Sequence, residues 1–397
     1  MRRCKGREGF DTMEEVWVAG AAMNRFGKMA EKGREAAVNA SVKAFEMSGL
    51  SPKDIGYTFV SNAFGIAERQ AHVGPLINTA LGIPDVPSAT VESACSSSSA
   101  ALHEAYVHIA GGFADAALVV GFEKLSHIDT LAATSYFAMG ADYAFESANG
   151  ATFPGLYATL ATAHMKKYGT KSEELGAIAV KNHANAANNP HAHFQKPITM
   201  DTYLNSPIIS SPFHLYDCCP FSDGAAALIV ANPAKFKKDM IATPAKIRAS
   251  ARAGSVATLQ DRVDLTTIPA SRLAAEKALR HAKLEHKDIN FMEVHDCFTM
   301  AEVLAIEDMG FLPKGHAAKA GAEGVTQHDG KLPVNPSGGL KAKGHPVSAT
   351  GAAQVVEVLE QFNGKAGKRA VPGASIGLTH NVGATGGSCS VHIFEKV

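Results

Sequence analysis

The residues able to do chemistry cluster in four short stretches. In "VESACSSSSA", residues 91–100, Cys95 stands before four serines and an apolar run, "ALHEAYVHIA". A thiol at a helix start meets unpaired N–H groups and the positive end of the macrodipole, and both favour the nucleophilic thiolate. The same N–H groups can hold an oxyanion. A small buried residue beside N-capping serines fits the stretch equally well. In "NPSGGLKAKGHPVSATGAAQ", 335–354, glycine and proline surround His345. Such a loop lets backbone approach a ligand and fixes a histidine as a base; an incidental histidine in a turn is the alternative. "EVHDCFTMAE", 293–302, carries His295, Asp296 and Cys297 at a strand end. His295 and Cys297 lack a closing ligand pair, so no metal site is expected. "GLTHNVGATGGSCSV", 377–391, leads from His380 and Asn381 into Gly383, Gly386 and Gly387. It reads as an N–H donor loop or as a tight hairpin. "DCCPFSDGAAALIV", 217–230, reads as structural, with Asp223–Gly224 a turn before a strand.

Elements that alternate along the chain must bring these stretches together. "EVWVAGAAM", "YTFVSNAF", "AALVVGFE", "AALIVAN", "INFMEVHDCF" and "SCSVHIF" read as strands. "GREAAVNASVKAFEMSG", "SSAALHEAYVHIAGG", "SRLAAEKALRHAKL" and "GAAQVVEVLEQFNG" read as helices. The alternation predicts an α/β fold with helix-covered sheets. An ungapped repeat sharpens this. "KAFEMSGLSPKDIGYTFVSNAF" at 43–64 returns as "KALRHAKLEHKDINFMEVHDCF" at 277–298, an offset of 234 from Lys53 to Lys287. A looser pair, 99–112 with 351–364, sets Cys95 opposite residue 347. A duplicated α/β domain follows, and a pseudo-twofold between its halves would set the two loops at equivalent strand ends, facing one site. We divide the chain into a first half (14–126 and 216–235), an inserted loop domain (127–215) that caps one half, and a second half (236–397).

Lys+Arg and Asp+Glu are 38 each, with 46% apolar and 19% charged residues in 397. This balance predicts no nucleic-acid binding and no polybasic membrane anchor. No apolar run approaches the length of a membrane span. Cys4, Cys95, Cys218, Cys219, Cys297 and Cys389 form no CxxC pair. A reducing, cytoplasmic setting is expected.

Together the stretches resemble the thiolase superfamily nearly end to end. "VESACSSSSAAL" is similar to its nucleophile motif, and "NPSGGLKAKGHPVSATGAAQ" to its GGxxxxGHPxGATG motif. "HDCF", 295–298, replaces the NEAF motif of the better-known members, and "HNVG", 380–383, their Cys-x-Gly. The HDCF variant resembles sterol-carrier-protein-type and archaeal acetoacetyl-CoA thiolases, in which the second cysteine comes from the HDCF loop. Ser348 stands where the family has glycine, which implies a narrower pocket.

The resemblance implies a duplicated five-layer αβαβα fold acting on coenzyme A thioesters as substrates, with no bound cofactor. It implies that His345 takes the proton of Cys95, and that Cys95 attacks the carbonyl and becomes acylated. The N–H groups of Cys95 and Gly383 would hold the tetrahedral oxyanion. Cys297 would move the α-proton of acetyl-CoA, while His295 and His345 donate to the thioester oxygen. Ser255, Phe298 and Asn381 are the expected substrate contacts. A homodimer or dimer of dimers is implied, and a small OB-fold partner accompanies some members. Acetoacetyl-CoA is the default substrate. A bulky or aromatic 3-ketoacyl-CoA, another condensing enzyme on the same fold, and a non-catalytic CoA- or lipid-binding homologue stay open beside it.

Overall fold

The computed structural model describes residues 13–236 and 244–397. Cys4 lies outside them. The first half runs β1 (Trp17–Met23), α1 (Gly33–Ser48), β2 (Tyr57–Ser61), α2 (Val73–Ala80), β3 (Ser88–Thr90), α3 (Ser97–Ala110) and β4 (Ala116–Glu123). Helices α4 (Thr130–Ala138), α5 (Phe153–Tyr168), α6 (Ser172–Ala186) and α7 (Met200–Leu204) follow, with the short ribbon β5 (Ile208–Ser210) and β6 (Phe213–His214). Strand β7 (Gly224–Ala231) returns to the sheet. The second half comprises β8 (Ala245–Gly254), α8 (Pro269–Ala282), β9 (Phe291–Glu293), α9 (Thr299–Asp308), α10 (Ala317–Ala322), α11 (Thr350–Phe362), β10 (Ile376–Gly383) and β11 (Ser388–Lys396).

The strands form one nine-stranded sheet in the order β3-β2-β4-β7-β1-β8-β11-β10-β9. Val334 bridges Met292 in parallel beyond β9, in the place that β3 holds beyond β2. The order is therefore mirrored about the β1–β8 seam, which is only Trp17↔Lys246 and Val18↔Ala245. The 234-residue repeat has a physical counterpart at each copy. Asp54 accepts from the Ser51 N–H (2.7 Å), and Asp288 accepts from the Glu285 N–H (2.8 Å). Each carboxylate caps the turn that feeds β2 or β9.

Three apolar clusters occupy the spaces between layers. Alanines 36, 37, 40 and 44 of α1 pack on Leu118 and Ile229. In the middle, Leu102 and Ile109 of α3 meet Val355 and Leu359 of α11, with Val18 and Val119 on one side and Ile247 and Phe394 on the other. The third joins α8 and α9 to the second half's strands. Helix, sheet, paired central helices, sheet and helix make the five layers. Apart from Glu360, every residue of α11 is buried, as a helix at the centre of the stack requires.

In the nine-stranded sheet, β8 and β10 are missing from those expected, while β3 falls in "PSATVES", 87–93, which reads as a strand before Cys95; the ribbon β5–β6 is not among the expected strands either. In β8 small inward residues alternate with Lys246, Arg248 and Arg252, and β10 has Gly377 and Gly383 near its ends. Neither has the branched or aromatic run that marks a strand. The stretch "ATLATAHMKKYGTKSEELGAIAVKNHANAANN", 158–189, reads as one helical segment but forms two helices, split at Gly169, which has φ 77°. The inserted segment also docks beyond its own half. Leu156, Leu160 and Leu175 join the core of the second half.

Candidate active site

Cys95 sits in a tight turn between β3 and α3. Ala94 has φ 47°, a left-handed backbone that an L-residue adopts only under constraint. The constraint is local: Glu92 accepts from the Ala94 N–H (2.6 Å), and Ser97 Oγ donates to the Ala94 carbonyl (2.5 Å). The helix proper starts at Ser97 and has no side-chain cap. The serines are not caps. Ser93 Oγ meets Ser388 Oγ (2.8 Å), Ser96 Oγ meets Ser390 Oγ (3.2 Å), and Ser99 Oγ meets His392 Nε2 (2.9 Å), all on β11. Ser98 Oγ accepts from the Ala352 N–H at the start of α11 (3.0 Å). The two central helices thus begin side by side. A Cβ on Gly351 would lie 2.5 Å from the Ser99 nitrogen.

That contact carries the 335–354 loop to Cys95. His345 N–H donates to Ser222 Oγ (3.2 Å), and its Nδ1 meets Thr350 Oγ1 (2.6 Å). Thr350 Oγ1 already donates to the Pro346 carbonyl (3.0 Å), so the proton between them belongs to Nδ1. The His345 Nε2 lone pair is left free, and that atom is buried without a partner. His295 has the opposite arrangement. Its Nδ1 accepts from the Asn381 amide (3.5 Å), which leaves the proton on an unpartnered Nε2. The rings cross at 83°, centroids 5.2 Å apart. One ligand atom each of Cys95, His295 and His345 lies within 4.8 Å of the other two. The same three atoms are close enough to hold a metal ion, whereas among the described residues His295 and Cys297 form no such group.

Burial decides the protonation states here. It pushes the Cys95 thiol up to about 12, against the pull of the Ala384 N–H. The helix-start expectation of a ready thiolate is therefore corrected: desolvation outweighs the donors. Burial likewise holds His345 down to about 3, and His295 well below the usual imidazole range, with His345 and His380 adding to it. Thiol and imidazoles are all neutral near pH 7.

Cys297 follows β9 on the HDCF loop. The Cys219 N–H donates to its carbonyl (3.0 Å), and Asp296 beside it accepts from Asn182 (2.8 Å) and from the Leu340 N–H (2.7 Å). Asp296 thereby ties this loop to the turn that carries His345. Burial and the neighbouring Cys219 and Cys95 raise the Cys297 thiol well above its ordinary value; Tyr157 and the Lys341 ammonium pull it back. A cavity of about 490 Å³ opens beside both thiols, lined by Phe137, Phe153, Phe221 and Phe298 along with His345 and Ala384. Much of this wall comes from the inserted segment.

Other expected residues fall differently. Phe298 lines the cavity, stacked against Tyr157 with centroids 4.7 Å apart. Asn381 orients His295 rather than lining the cavity. Ser255 also lies outside the lining, with Oγ donating to the Gly386 carbonyl (2.6 Å). Gly383 closes β10, packed so that a Cβ would lie 2.7 Å from the Ser93 carbonyl oxygen, and the N–H acting on the Cys95 sulfur is that of Ala384. The 377–391 stretch is a hairpin, and Ala384 is the residue in it whose N–H acts on Cys95. Ser348 does not narrow the cavity, since its Oγ turns away to accept from the Ala63 N–H (2.7 Å).

Sequence reasoning missed Cys218, Cys219 and Tyr157. The vicinal cysteines line the cavity, and Asp223 is a buried hub for Lys124, Leu125, Ser126 and Met29. Their place where the insertion re-enters the sheet was the available signal. Tyr157 carried none, because its partners lie more than a hundred residues away.

The comparisons with known proteins agree across the chain. The thiolase N-terminal domain family matches residues 16–234, and the thiolase C-terminal domain-like family matches 251–396. An acetyl-CoA acetyltransferase of Methanothermobacter thermautotrophicus is 42% identical over 97% of this chain and 100% of that protein. Human sterol carrier protein 2 is 32% identical over 97% of this chain and 72% of its own length. The benzoylsuccinyl-CoA thiolase subunit BbsB of Thauera aromatica is 32% identical, covering 94% of this chain and 95% of the subunit. The solved Ltp2-ChsH2(DUF35) aldolase superposes with a TM-score of 0.83 at 24% identity, over 96% of this chain and 98% of that one, a likeness of fold. Matched from end to end, with a mirrored five-layer fold that joins two loops at one buried thiol, the chain belongs to the thiolase family.

Proposed function

We propose that the chain is an acyltransferase that cleaves a 3-ketoacyl-CoA with free CoA, or runs the reverse Claisen condensation, through an acyl group on Cys95. The observation that carries this is the buried Cys95 thiol grouped within 4.8 Å with one nitrogen each of His295 and His345, whose Nε2 atoms are both buried without a partner, one as a lone pair and the other as an N–H. In cleavage, His345 Nε2 takes the Cys95 proton as sulfur adds to the ketone carbon. The oxygen turns anionic beside the N–H groups of the 95 and 383–384 turns. The C2–C3 bond then breaks, and its electron pair becomes the enolate of acetyl-CoA, held by the His295 N–H. Cys297 gives that carbon its proton. Incoming CoA returns a proton to Cys297 and attacks the acyl group, and Cys95 leaves with the proton from His345. A Claisen step needs a nucleophile, an acid/base and two oxyanion sites, and this set supplies each.

The HDCF-class assignment is supported by Cys297 lying on the cavity with Cys95, while position 381 is an asparagine. The name of the relative at 42% identity supports acetoacetyl-CoA as the default substrate. A second reading, a bulky or aromatic 3-ketoacyl-CoA handled with a small OB-fold partner, is favoured by the four phenylalanines on the cavity wall and by the benzoylsuccinyl-CoA relative. The division into halves 14–126 with 216–235 and 236–397, around an inserted 127–215, is supported by the mirrored strand order. We read the protein as a cytoplasmic homodimer. Among the described residues, no helix is long and apolar enough to cross a membrane.

The test is release of acetyl-CoA from acetoacetyl-CoA and CoA by the purified chain. Cys95→Ala abolishes turnover, and Cys297→Ala lowers it by about 10²- to 10⁴-fold, as expected for a lost proton-transfer group. Full activity in Cys95→Ala would sink the mechanism. A panel of 3-ketoacyl-CoAs separates the two substrate readings.

A further inference from the structure

Tyr157 reaches the site from the inserted segment and has no part in the steps above. It is fully buried on α5, stacked against Phe298, and its hydroxyl donates to the Ala384 carbonyl (3.0 Å). The N–H of the same residue, Ala384, acts on the Cys95 sulfur. The hydroxyl also lies within hydrogen-bonding reach of the Cys297 thiol. One phenol therefore touches both the residue that serves the first cysteine and the second cysteine directly.

We infer that Tyr157 is a positioning residue whose hydroxyl donates to Ala384 while Cys297 is a thiol and turns to Cys297 when it becomes a thiolate. The inference rests on the role proposed for Cys297. A phenolic O–H has one proton to donate and so serves one acceptor at a time. The carbonyl holds it at rest. When Cys297 hands its proton to the departing enolate carbon, a charged sulfur replaces a neutral one, and charged acceptors bind a donor more strongly. Three other titratable groups act on that sulfur: Cys219 and Cys95 push its pKa up, and the buried Lys341 pulls it down. Tyr157 donates through a hydroxyl, a stronger donor than the thiols of Cys219 and Cys95, and its single proton can turn to meet the new charge. Phe298, next to Cys297 in the chain, stacks on the phenol and fixes the plane from which the O–H must reach both acceptors.

The experiment follows deuterium uptake into the methyl group of acetyl-CoA in D2O, a reaction that needs the Cys297 proton step but no second substrate. Beside it, the pH dependence of Cys297 alkylation by iodoacetamide is read peptide by peptide. Tyr157→Phe keeps the stacked ring and removes the hydroxyl. It slows uptake by about tenfold to a hundredfold and moves the Cys297 profile about one to two pH units higher, the scale of one hydrogen bond to a charged group. Exchange of labelled CoA through acyl-Cys95 falls less than uptake does. If Tyr157→Phe fails to fold, 3-fluorotyrosine at 157 decides: a more acidic phenol donates more strongly and moves the profile lower. Wild-type uptake left unchanged by Tyr157→Phe, or a profile unmoved by 3-fluorotyrosine, overturns the inference and leaves the proposed function standing. No uptake by the wild type overturns both.

Discussion

With its thiol held near pKa 12 by burial and the His345 imidazole near 3, Cys95 keeps its proton at neutral pH. In the proposed mechanism the sulfur becomes nucleophilic only as the carbonyl arrives and the neighbouring N–H groups receive the new charge. Reaction with a probe that offers no oxyanion is expected to follow the bare thiol. Alkylation of Cys95 by iodoacetamide should climb about tenfold per pH unit from neutral into the alkaline range, since only the thiolate reacts. A plateau below pH 8 would mean a standing thiolate–imidazolium pair. At this scale much was legible. Cys95, His295, Cys297 and His345 each stand in a stretch whose composition is unusual for a surface loop. The tautomers were not, because Thr350 and Asn381 set them from other elements. Nor was the state of Cys95, since a chain read in one dimension shows the helix start but not the depth of burial.

Between elements, the site depends on how closely α3 and α11 begin. Gly351 lies against Ser99 with no room for a methyl group; an added Cβ would also come within 2.9 Å of Asn381 Oδ1. Gly351→Ala is expected to push the helix starts apart and to cost about 1–3 kcal/mol, the usual range for overpacking. A lower urea midpoint with an unchanged slope measures the stability loss. Turnover should fall by a larger factor than residual folding explains, because His345 moves with α11. Wild-type stability in this variant would mean that the helices part freely. The looser repeat anticipates the pairing by setting Cys95 opposite residue 347, and Val347 does pack with Cys95. It does not show which side chains cross the gap, since these are polar and lie outside any apolar period.

For the molecule as a whole, the shared middle layer matters most. Val18, Val119, Ile247 and Phe394, drawn from both halves, close over the same two helices. The inserted segment adds a second tie by packing into the other half's core. Neither half can open without exposing the layer of the other, so unfolding in urea is expected as one transition. Trp17, which pairs with Lys246 at the seam, reports it directly. Its fluorescence, the far-ultraviolet circular dichroism and activity should fall together; an earlier fluorescence change alone would show the seam opening first. The duplication was legible because the 234-residue copy has no gap. The crossing of the insertion was not, because sequence order places it with the first half and only packing moves it.

The serine run has a consequence for alignment. On one side the bonded residues are Ser93, Ser96 and Ser99, every third position; on the other they are Ser388, Ser390 and His392, every second. A turning chain and an extended one advance by different amounts per residue, and these two spacings bring their polar groups level three times in succession. The arrangement works like a vernier. A slip of one residue along β11 would set the serines against Cys389 and Val391, strip several buried hydroxyls of their partners, and cost more than a purely apolar seam would resist. Cys95 stands between two of the graduations, so its position is indexed by the interior of the protein before any substrate enters.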